Sequence, residues 1–595
     1  MVSRRSLIVA AAVGAFAFAA SSFRYPRGGA VLIDFERGYE GAFVSGFHPR
    51  ERAEEKYFRW TDEDSYVELR HLPARGKIAV EARLRAIRPE GQPLPALAFT
   101  ANGVTVHRAV ALPGVVTYHF EFPSTSSRLR LGIESETFEA AGGRKLGVQV
   151  LSVRLKLPDE LPSFETAALW MALAAVLLLG AGLAAGLSFP VAVLSALVLV
   201  LPCVYLLGPG PVRWSSYPRD LASLALATLV FAAAVKALSN RLGWLHSSHR
   251  SVGTALLALL FLLKIGMLSY PLTLSSDADF QANRMRELLQ GNWHPTSVTQ
   301  HDPPYRIPYP VSLFATAAPL AMAGVDLVPA LEITTGLADV LVSGLLLFLG
   351  FRVLDDFRAG AFAAVLYQLV PMNPLSFSAG NFTNLFAVAM LALCFVCLSA
   401  GAALGTGIAT FLALTAHFGM LLEGVVLWPL WLLLQWLGPK PVRDSRKLVS
   451  AAVLAAFLLA GLYYLGYLDL FRSQYARALS PSGSDDGGIV ALASEQLGFV
   501  FLLTAILGSL SFRHDRLALG WLAATLLFLA LDLATTIEIR YWLQALPLLA
   551  LFSGTYLSRA FDRSTVGKAA ALGAVAYIGV VGLRTILDCM IYRYH

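Results

Sequence analysis

The stretch 253–280, GTALLALLFLLKIGMLSYPLTLSSDADF, decides the fold. Its first part, 253–271, is an apolar run of the length that a hydrocarbon core requires. Two carboxylates, Asp277 and Asp279, follow just beyond it. Apolar runs of this kind recur along the chain. Of its 595 residues 56% are hydrophobic and 15% are charged, against about a quarter charged in a soluble globular chain. Mean hydropathy is +0.61. These values exclude a large soluble enzyme, a disordered chain and a disulfide scaffold. They imply a polytopic α-helical membrane protein.

The charge is uneven. Between residues 24 and 160 stand 20 of the 47 Lys/Arg and 18 of the 40 Asp/Glu. One water-soluble domain is therefore joined to a membrane body. Within it, 77–87 alternates, with Val80, Ala82, Leu84 and Ala86 on one face and Glu81, Arg83 and Arg85 on the other. The stretch 97–106 reads as a hairpin around Asn102-Gly103, the dipeptide that tight primed turns favour. Further alternation at 116–122, 129–133 and 145–157 predicts an exported N-terminal β-sandwich or jelly roll over 24–160. Tyr57, Trp60, Tyr66 and His119 could stack on a sugar there, or pack in the core. Residues 1–23, with Arg4 and Arg5 before an apolar run, read as an anchor helix or a signal. The four cysteines, Cys203, Cys394, Cys397 and Cys589, all lie outside 24–160, and Cys394-x-x-Cys397 falls inside an apolar run.

The remainder, 161–595, reads as a multi-span body. Apolar spans are expected near 166–187, 189–207, 219–239, 253–271, 330–351, 359–376, 384–400, 405–420, 422–437, 448–467, 490–510, 517–534, 542–558 and 567–584. With the N-terminal helix this makes about fifteen crossings. Residues 311–325 are read as a juxtamembrane helix that does not cross. The positive-inside rule supports the count: Arg241 and Arg250, Arg352 and Arg358, Lys440 to Lys447, Arg513 and Arg516, and Arg559 and Arg563 all fall in loops assigned to the cytoplasm. The +7 net charge has the same origin, and no basic patch with interleaved aromatics points to nucleic acid. The loop 273–309 then shares the exported side of a plasma (inner) membrane with the β domain.

Asp277 and Asp279 at a membrane face could activate a hydroxyl acceptor or hold a divalent metal, Mg or Mn. No other cofactor is implied. Equally, Ser276-x-x-Asp279 fits a helix-capping pattern before an amphipathic helix over 279–290 through Phe280, Arg284, Met285, Leu288 and Leu289. The order of parts is informative: a long span, an outer Asp-x-Asp-Phe, an amphipathic helix, then Tyr309-Pro310-Val311-Ser312-Leu313-Phe314 leading to Gly324-Val325-Asp326. This order resembles the first exported loop of the GT-C glycosyltransferases, the superfamily of protein O-mannosyltransferases, oligosaccharyltransferase catalytic subunits and aminoarabinose transferases. The resemblance covers about 253–560. It implies a polyprenyl-phosphate-linked sugar donor, a glycan, lipid or protein acceptor, and a loop carboxylate as base or metal ligand, here Asp277 with Asp279.

Other positions fit the same resemblance. Asn381 and Asn384 stand in a Gly-x-x-x-Asn-Leu-like stretch, His417 in a Thr-x-His element, and Arg540-Tyr541 in the position of a late Arg-Tyr beside the lipid phosphate. The chemistry is sound, because a guanidinium forks onto phosphate oxygens; anchoring a helix end is the alternative. His301, Asp302, Tyr305 and Arg306 share the outer loop and are candidate substrate contacts. His417 and Glu423 lie near membrane depth, where ionisable groups face a cavity or a partner. The stretch 480–488, rich in Ser, Gly and Asp, reads as a mobile outer loop. The β domain resembles the jelly rolls of cell-wall arabinosyltransferases through Gly143 to Val148 and Val153 to Leu155. A transporter or flippase for polyprenyl-linked glycans, or a non-catalytic assembly protein, is the competing reading.

Overall fold

The computed structural model describes residues 4–24, 29–36, 40, 43–53, 56–70, 76–126, 128–140, 143–157, 166–206, 218–243, 247–269, 277–298, 306–437, 445–472, 496–512, 515–534 and 540–591. The chain forms two compact units, one of residues 1–237, 269–273 and 590–595 and one of residues 238–268 and 274–589.

The first unit opens with helix α1 (Arg4–Arg24) and continues into strands β1 (Gly29–Asp34), β2 (Val44–Phe47), β3 (Glu51–Ala53), β4 (Lys56–Arg70), β5 (Lys77–Ala86), β6 (Ala96–Ala101), β7 (Val104–Val110), β8 (Gly114–Pro123), β9 (Arg128–Ser135), β10 (Phe138–Ala140), β11 (Arg144–Leu146) and β12 (Gln149–Leu157). Ten strands form one antiparallel sheet whose main path is β7-β6-β9-β4-β12-β5-β8. The sheet folds on itself where β4 crosses to β12, with Gln149 opposite Trp60 and Val150 opposite Arg59. The alternation predicted for β5 is present: Val80, Ala82 and Leu84 are buried, and they share a core with Phe35, Val67, Phe99, Leu131, Ile133 and Val153. The predicted hairpin also forms. Asn102 and Gly103 adopt φ of 52° and 84°, the left-handed pair that a primed turn requires. Trp60 is buried with Phe58, Leu146 and Leu151, so it serves packing rather than an exposed sugar platform.

Most ion pairs of this domain lie at its surface and contribute little. Glu40 is the exception. It is fully buried and accepts from Arg50 Nε and Nη2 at 3.1 and 2.8 Å and from Arg59 Nε at 2.8 Å. Burial lowers the Arg50 guanidinium below its ordinary range, and Glu40 opposes that shift. Helices α2 (Thr166–Ala185), α3 (Phe189–Leu206) and α4 (Pro218–Leu242) complete this part of the chain. α1 packs on α2 closely enough that a Cβ at Gly14 would stand 3.1 Å from Val176 Cγ2.

The second unit contains α5 (Ser247–Ser269), α6 (Ala278–Leu289), the short strands β13 (Thr296–Val298) and β14 (Arg306–Pro308), then α7 (Ser312–Met322), α8 (Leu327–Arg352), α9 (Phe357–Leu369), α10 (Met372–Ser378), α11 (Phe382–Ser399), α12 (Ala403–Leu414), α13 (Phe418–Leu437), α14 (Arg446–Tyr464), α15 (Phe499–Ser509), α16 (Arg516–Ala534), α17 (Arg540–Arg563) and α18 (Thr565–Ile591). Among the described residues, eight helices in the two units are long and apolar enough to cross a membrane. Five further predicted spans are apolar but shorter, and α7, with 11 residues, reaches roughly 16 Å, about half a hydrocarbon core. Two expectations change. The span predicted at 359–376 is two helices, because Val370 precedes Pro371 and takes an extended conformation, φ −63° and ψ 127°. The span predicted at 405–420 stops at Leu414, and Thr415 to His417 turn the chain into α13.

Small residues let the helix backbones approach. A Cβ at Gly350 of α8 would meet Gly360 Cα of α9 at 2.3 Å, and one at Gly554 of α17 would meet the Ala359 carbonyl at 2.4 Å. The loop arginines gather at one end of this unit. Arg352 donates to the Gly243 carbonyl at 2.5 Å, Arg516 to Leu437 O at 2.6 Å and Arg559 to Ser511 Oγ at 2.5 Å, and Arg358 pairs with Asp562.

Residues 24–160 expressed alone are expected to give a β-rich circular dichroism spectrum with a cooperative melt. Glu40→Ala in that fragment leaves two arginines facing a buried void, so it should lower unfolding stability by about 3–5 kcal/mol in denaturant titration. A change under 1 kcal/mol would show that the arginines reach water in its absence.

Candidate functional site

The acidic pair begins α6. Asp277 is the N-cap residue, and its side chain makes no capping hydrogen bond to the helix. Ser276 lies outside the described residues, and the helix, with Asp277 as its N-cap, starts one residue later than the capping pattern implies. Asp277 and Asp279 are both exposed. The buried stripe of α6 is Ala278, Gln281, Ala282, Met285 and Leu288, whereas Leu289 is exposed. The predicted face is thus rotated, and its polar member, Gln281, was not expected there.

Gln281 fixes the helix. Its amide donates to Tyr309 Oη at 2.5 Å and to the Gly380 carbonyl at 3.2 Å, and its backbone N–H donates to the Asp277 carbonyl at 2.9 Å. Gly380 can offer that carbonyl because it turns with φ of 76° between α10 and α11. The structure therefore brings Asp277 and Asp279 to the same end of the unit as Asn381 and Asn384. Asn381 is the N-cap of α11, and Asn384 is buried one turn inside it. Gln281 Oε1, Ser378 Oγ and Asn384 Oδ1 are buried without a hydrogen-bond partner among the described residues. A buried polar atom in that state is satisfied by water or by a ligand.

The same end carries the next candidates. Ser312 N donates to Thr415 O at 3.0 Å, and the two hydroxyls also bond. His417 Nδ1 accepts the Gly419 N–H at 3.1 Å, so one ring nitrogen caps α13. Tyr309 is the hub: Tyr467 Oη donates to its carbonyl at 3.3 Å and to Pro295 O at 3.0 Å. His294 stacks on Tyr463, ring centroids 5.1 Å apart, with Nε2 3.1 Å from the Tyr463 carbonyl. Gly466 makes room for that ring, since a Cβ there would stand 2.2 Å from His294 Nε2.

Other candidates stand apart or beyond view. Glu423 is fully buried between α13 and α16, accepting from Thr525 Oγ1 at 3.2 Å, with Oε2 unpartnered among the described residues. Arg306 is exposed on β14, opposite Val298; His301, Asp302 and Tyr305 lie outside the described residues. So do the side chains of Arg540 and Tyr541, at the start of α17, and the stretch 480–488. Among the described residues no group of three or more His, Cys, Asp or Glu could hold a metal. The exposed Asp277 and Asp279 fit a Mg-type site only in part, as two carboxylates whose ion takes its other ligands from water or phosphate.

One cluster was missed by the sequence reading. Lys264 of α5 and Asp339 of α8 form an ion pair at 2.8 Å, with side chains 3% and 0% exposed. Tyr367 Oη and Asn373 Nδ2 donate to Asp339 Oδ1 at 2.7 and 2.9 Å. Lys264 also bonds Asn373 Oδ1 and sits 4.9 Å from the centroid of the Phe377 ring. Gln368 donates to the Asp339 carbonyl and to Ser343 Oγ, each at 3.1 Å. A small apolar cavity lies beside the lysine, walled by Leu263, Met267, Leu369, Pro374 and Ile586. The signal was present: each is a charged residue within an apolar span.

Gly466→Ala should push the His294 ring off Tyr463 and free the β13 segment. The expected result is faster amide hydrogen exchange over 292–298 with α8 unchanged, at a cost of about 1–3 kcal/mol. Unchanged exchange over 292–298 would show that the ring has room to yield.

No family model matches the chain, and no curated protein does. Among solved structures, the C-terminal CBM6 of LamC, a marine laminarinase from Zobellia galactanivorans, is similar at 12% identity, covering 22% of this chain and 99% of that one, with a TM-score of 0.16. A likeness of that size carries no argument about this chain.

Proposed function

We propose that the protein is a membrane glycosyltransferase of GT-C type that moves a sugar from a polyprenyl-phosphate donor to an acceptor hydroxyl on the exported face. The observation that supports this reading best is the exposed Asp277–Asp279 pair on a helix held by Gln281, beside unpartnered buried polar atoms of Ser378 and Asn384. A carboxylate open to water, on a helix that is itself anchored, suits contact with an acceptor.

In this reading the Asp277 carboxylate takes the acceptor hydroxyl proton as the oxygen attacks the anomeric carbon. The carbon–oxygen bond to the lipid phosphate breaks, and configuration inverts. Arg540, with Tyr541, meets the departing phosphate, and Asp279 supports the field at Asp277. Asn381, Asn384 and His417, together with His301, Asp302, Tyr305 and Arg306, would contact sugar or acceptor. Glu423 is too enclosed between α13 and α16 for direct contact and is better read as a packing partner of Thr525. A bound divalent metal would screen phosphate charge, and no step depends on one.

A transporter of polyprenyl-linked glycans is the second reading. The buried Lys264–Asp339 pair and the helix break at Pro371 favour it, since transporters place ion pairs and interrupted helices within the bilayer.

Asp277→Asn should lower transfer on the order of 100-fold while donor lipid still co-purifies, and Arg540→Lys should weaken donor retention instead. Near-normal transfer by Asp277→Asn removes that residue from the mechanism. Movement of labelled lipid across sealed vesicles without any transfer product would favour the transporter.

For orientation, single cysteines at the exposed position 119 and at position 300, in a chain without its native cysteines, should both react with an impermeant reagent added from the exported side. Reaction of one alone would refute a shared side for the β domain and the 273–309 loop.

A further inference from the structure

We propose that the Lys264–Asp339 ion pair is the positioning device for the acidic helix α6, acting through α10 and the Gly380 turn. Each step is a contact already described or one bond further. Lys264 and Asp339 both bond the Asn373 side chain, and Lys264 lies against the Phe377 ring, so the pair grips two residues of the seven-residue α10. Phe377 O accepts the Gly380 N–H at 3.0 Å, and the Phe377 ring packs on Phe382 with centroids 5.2 Å apart, which ties α10 to the turn and to the start of α11. The Gly380 carbonyl receives Gln281, and Gln281 N–H closes on the Asp277 carbonyl. The chain of contacts from ammonium to carboxylate helix runs through three side chains and one turn.

The local backbone explains why such a device is needed. The break at Val370-Pro371 releases α10 from α9, so continuous helix does not set its direction. Direction must come from side chains, and those of Asn373 and Phe377 end on the pair. α5 in turn is seated on α8: a Cβ at Gly336 would stand 3.0 Å from Ile265 Cδ1 and 3.1 Å from Leu268 Cδ1. That close fit leaves the lysine little freedom to follow a displaced α10.

Two variants of the full chain, in lipid nanodiscs, test the coupling without assuming any activity. Asp339→Asn removes the ion pair. Asn373→Leu keeps the pair and cuts its hold on α10. In both, amide hydrogen exchange over 278–289 and 378–384 should rise on the order of 10-fold or more, while exchange in α12 and α14 stays within about twofold of the parent. Reversing the charges, Lys264→Asp with Asp339→Lys, should recover much of the loss seen with Asp339→Asn.

Unchanged exchange over 278–289 in Asn373→Leu overturns the proposal. So does an even rise throughout the bundle, which would mark a pair that serves stability alone. If Asp339→Asn does not fold, Asn373→Leu decides. The consequence for transfer rests on the glycosyltransferase reading: there Asn373→Leu should lower kcat with donor KM little changed. A parent protein with no transfer activity would defeat that reading and leave the exchange result standing.

Discussion

An ammonium and a carboxylate held 2.8 Å apart, both almost wholly removed from solvent, impose the strictest constraint in this molecule. Removing two charges from water costs several kcal/mol per ion, and mutual attraction offsets this only if the remaining polar groups are also met. Here they are met. Tyr367, Asn373 and Gln368 supply donors to Asp339, and Asn373 returns an acceptor to Lys264. Those groups come from α5, α8, α9 and α10. Four helices must therefore keep one mutual arrangement, since a shift of an ångström or two at any of them would strand a buried charge. The close seating of α8 on α9 at Gly350 and Gly360 works in the same direction.

What could be read from the sequence follows the range of the forces involved. Alternation in β5 and the Asn102-Gly103 hairpin are set by neighbours in the chain, so they were legible. The apolar helices were legible as well, because a hydrocarbon core selects for length and composition alone. The ends were less so. Pro371 was visible, yet the apolar run continued through it, and composition cannot distinguish one span from two helices meeting at a break. Among the described residues, five of the predicted spans are shorter than a full span, and hydropathy alone set them beside the long ones.

The candidate site divides along the same line. Its acidic pair was evident from position, directly after a span. Gln281 was not, because an amphipathic face is judged by its apolar members, and a lone amide on such a face looks like a solvated position. Its role depends on Tyr309 and Gly380, 28 and 99 residues away in sequence. Lys264 and Asp339 were hidden for a related reason. Each is one charge in a long apolar run, and only their meeting, 75 positions apart, gives either a partner. Glu423 was noticed as a charge at depth, but its partner, Thr525 of α16, stands 102 positions away in sequence.

The β domain holds its fold without a single sulfur atom that could be cross-linked: all four cysteines of the chain lie beyond residue 200, and none falls among its strands. Its interior is closed instead by apolar side chains from both layers and by one carboxylate shared between two guanidinium groups. Oxidants and reductants act on disulfides and leave contacts of this kind untouched. The domain can therefore reach the same folded state under reducing and oxidising conditions alike, with no need for a thiol oxidase or a disulfide isomerase.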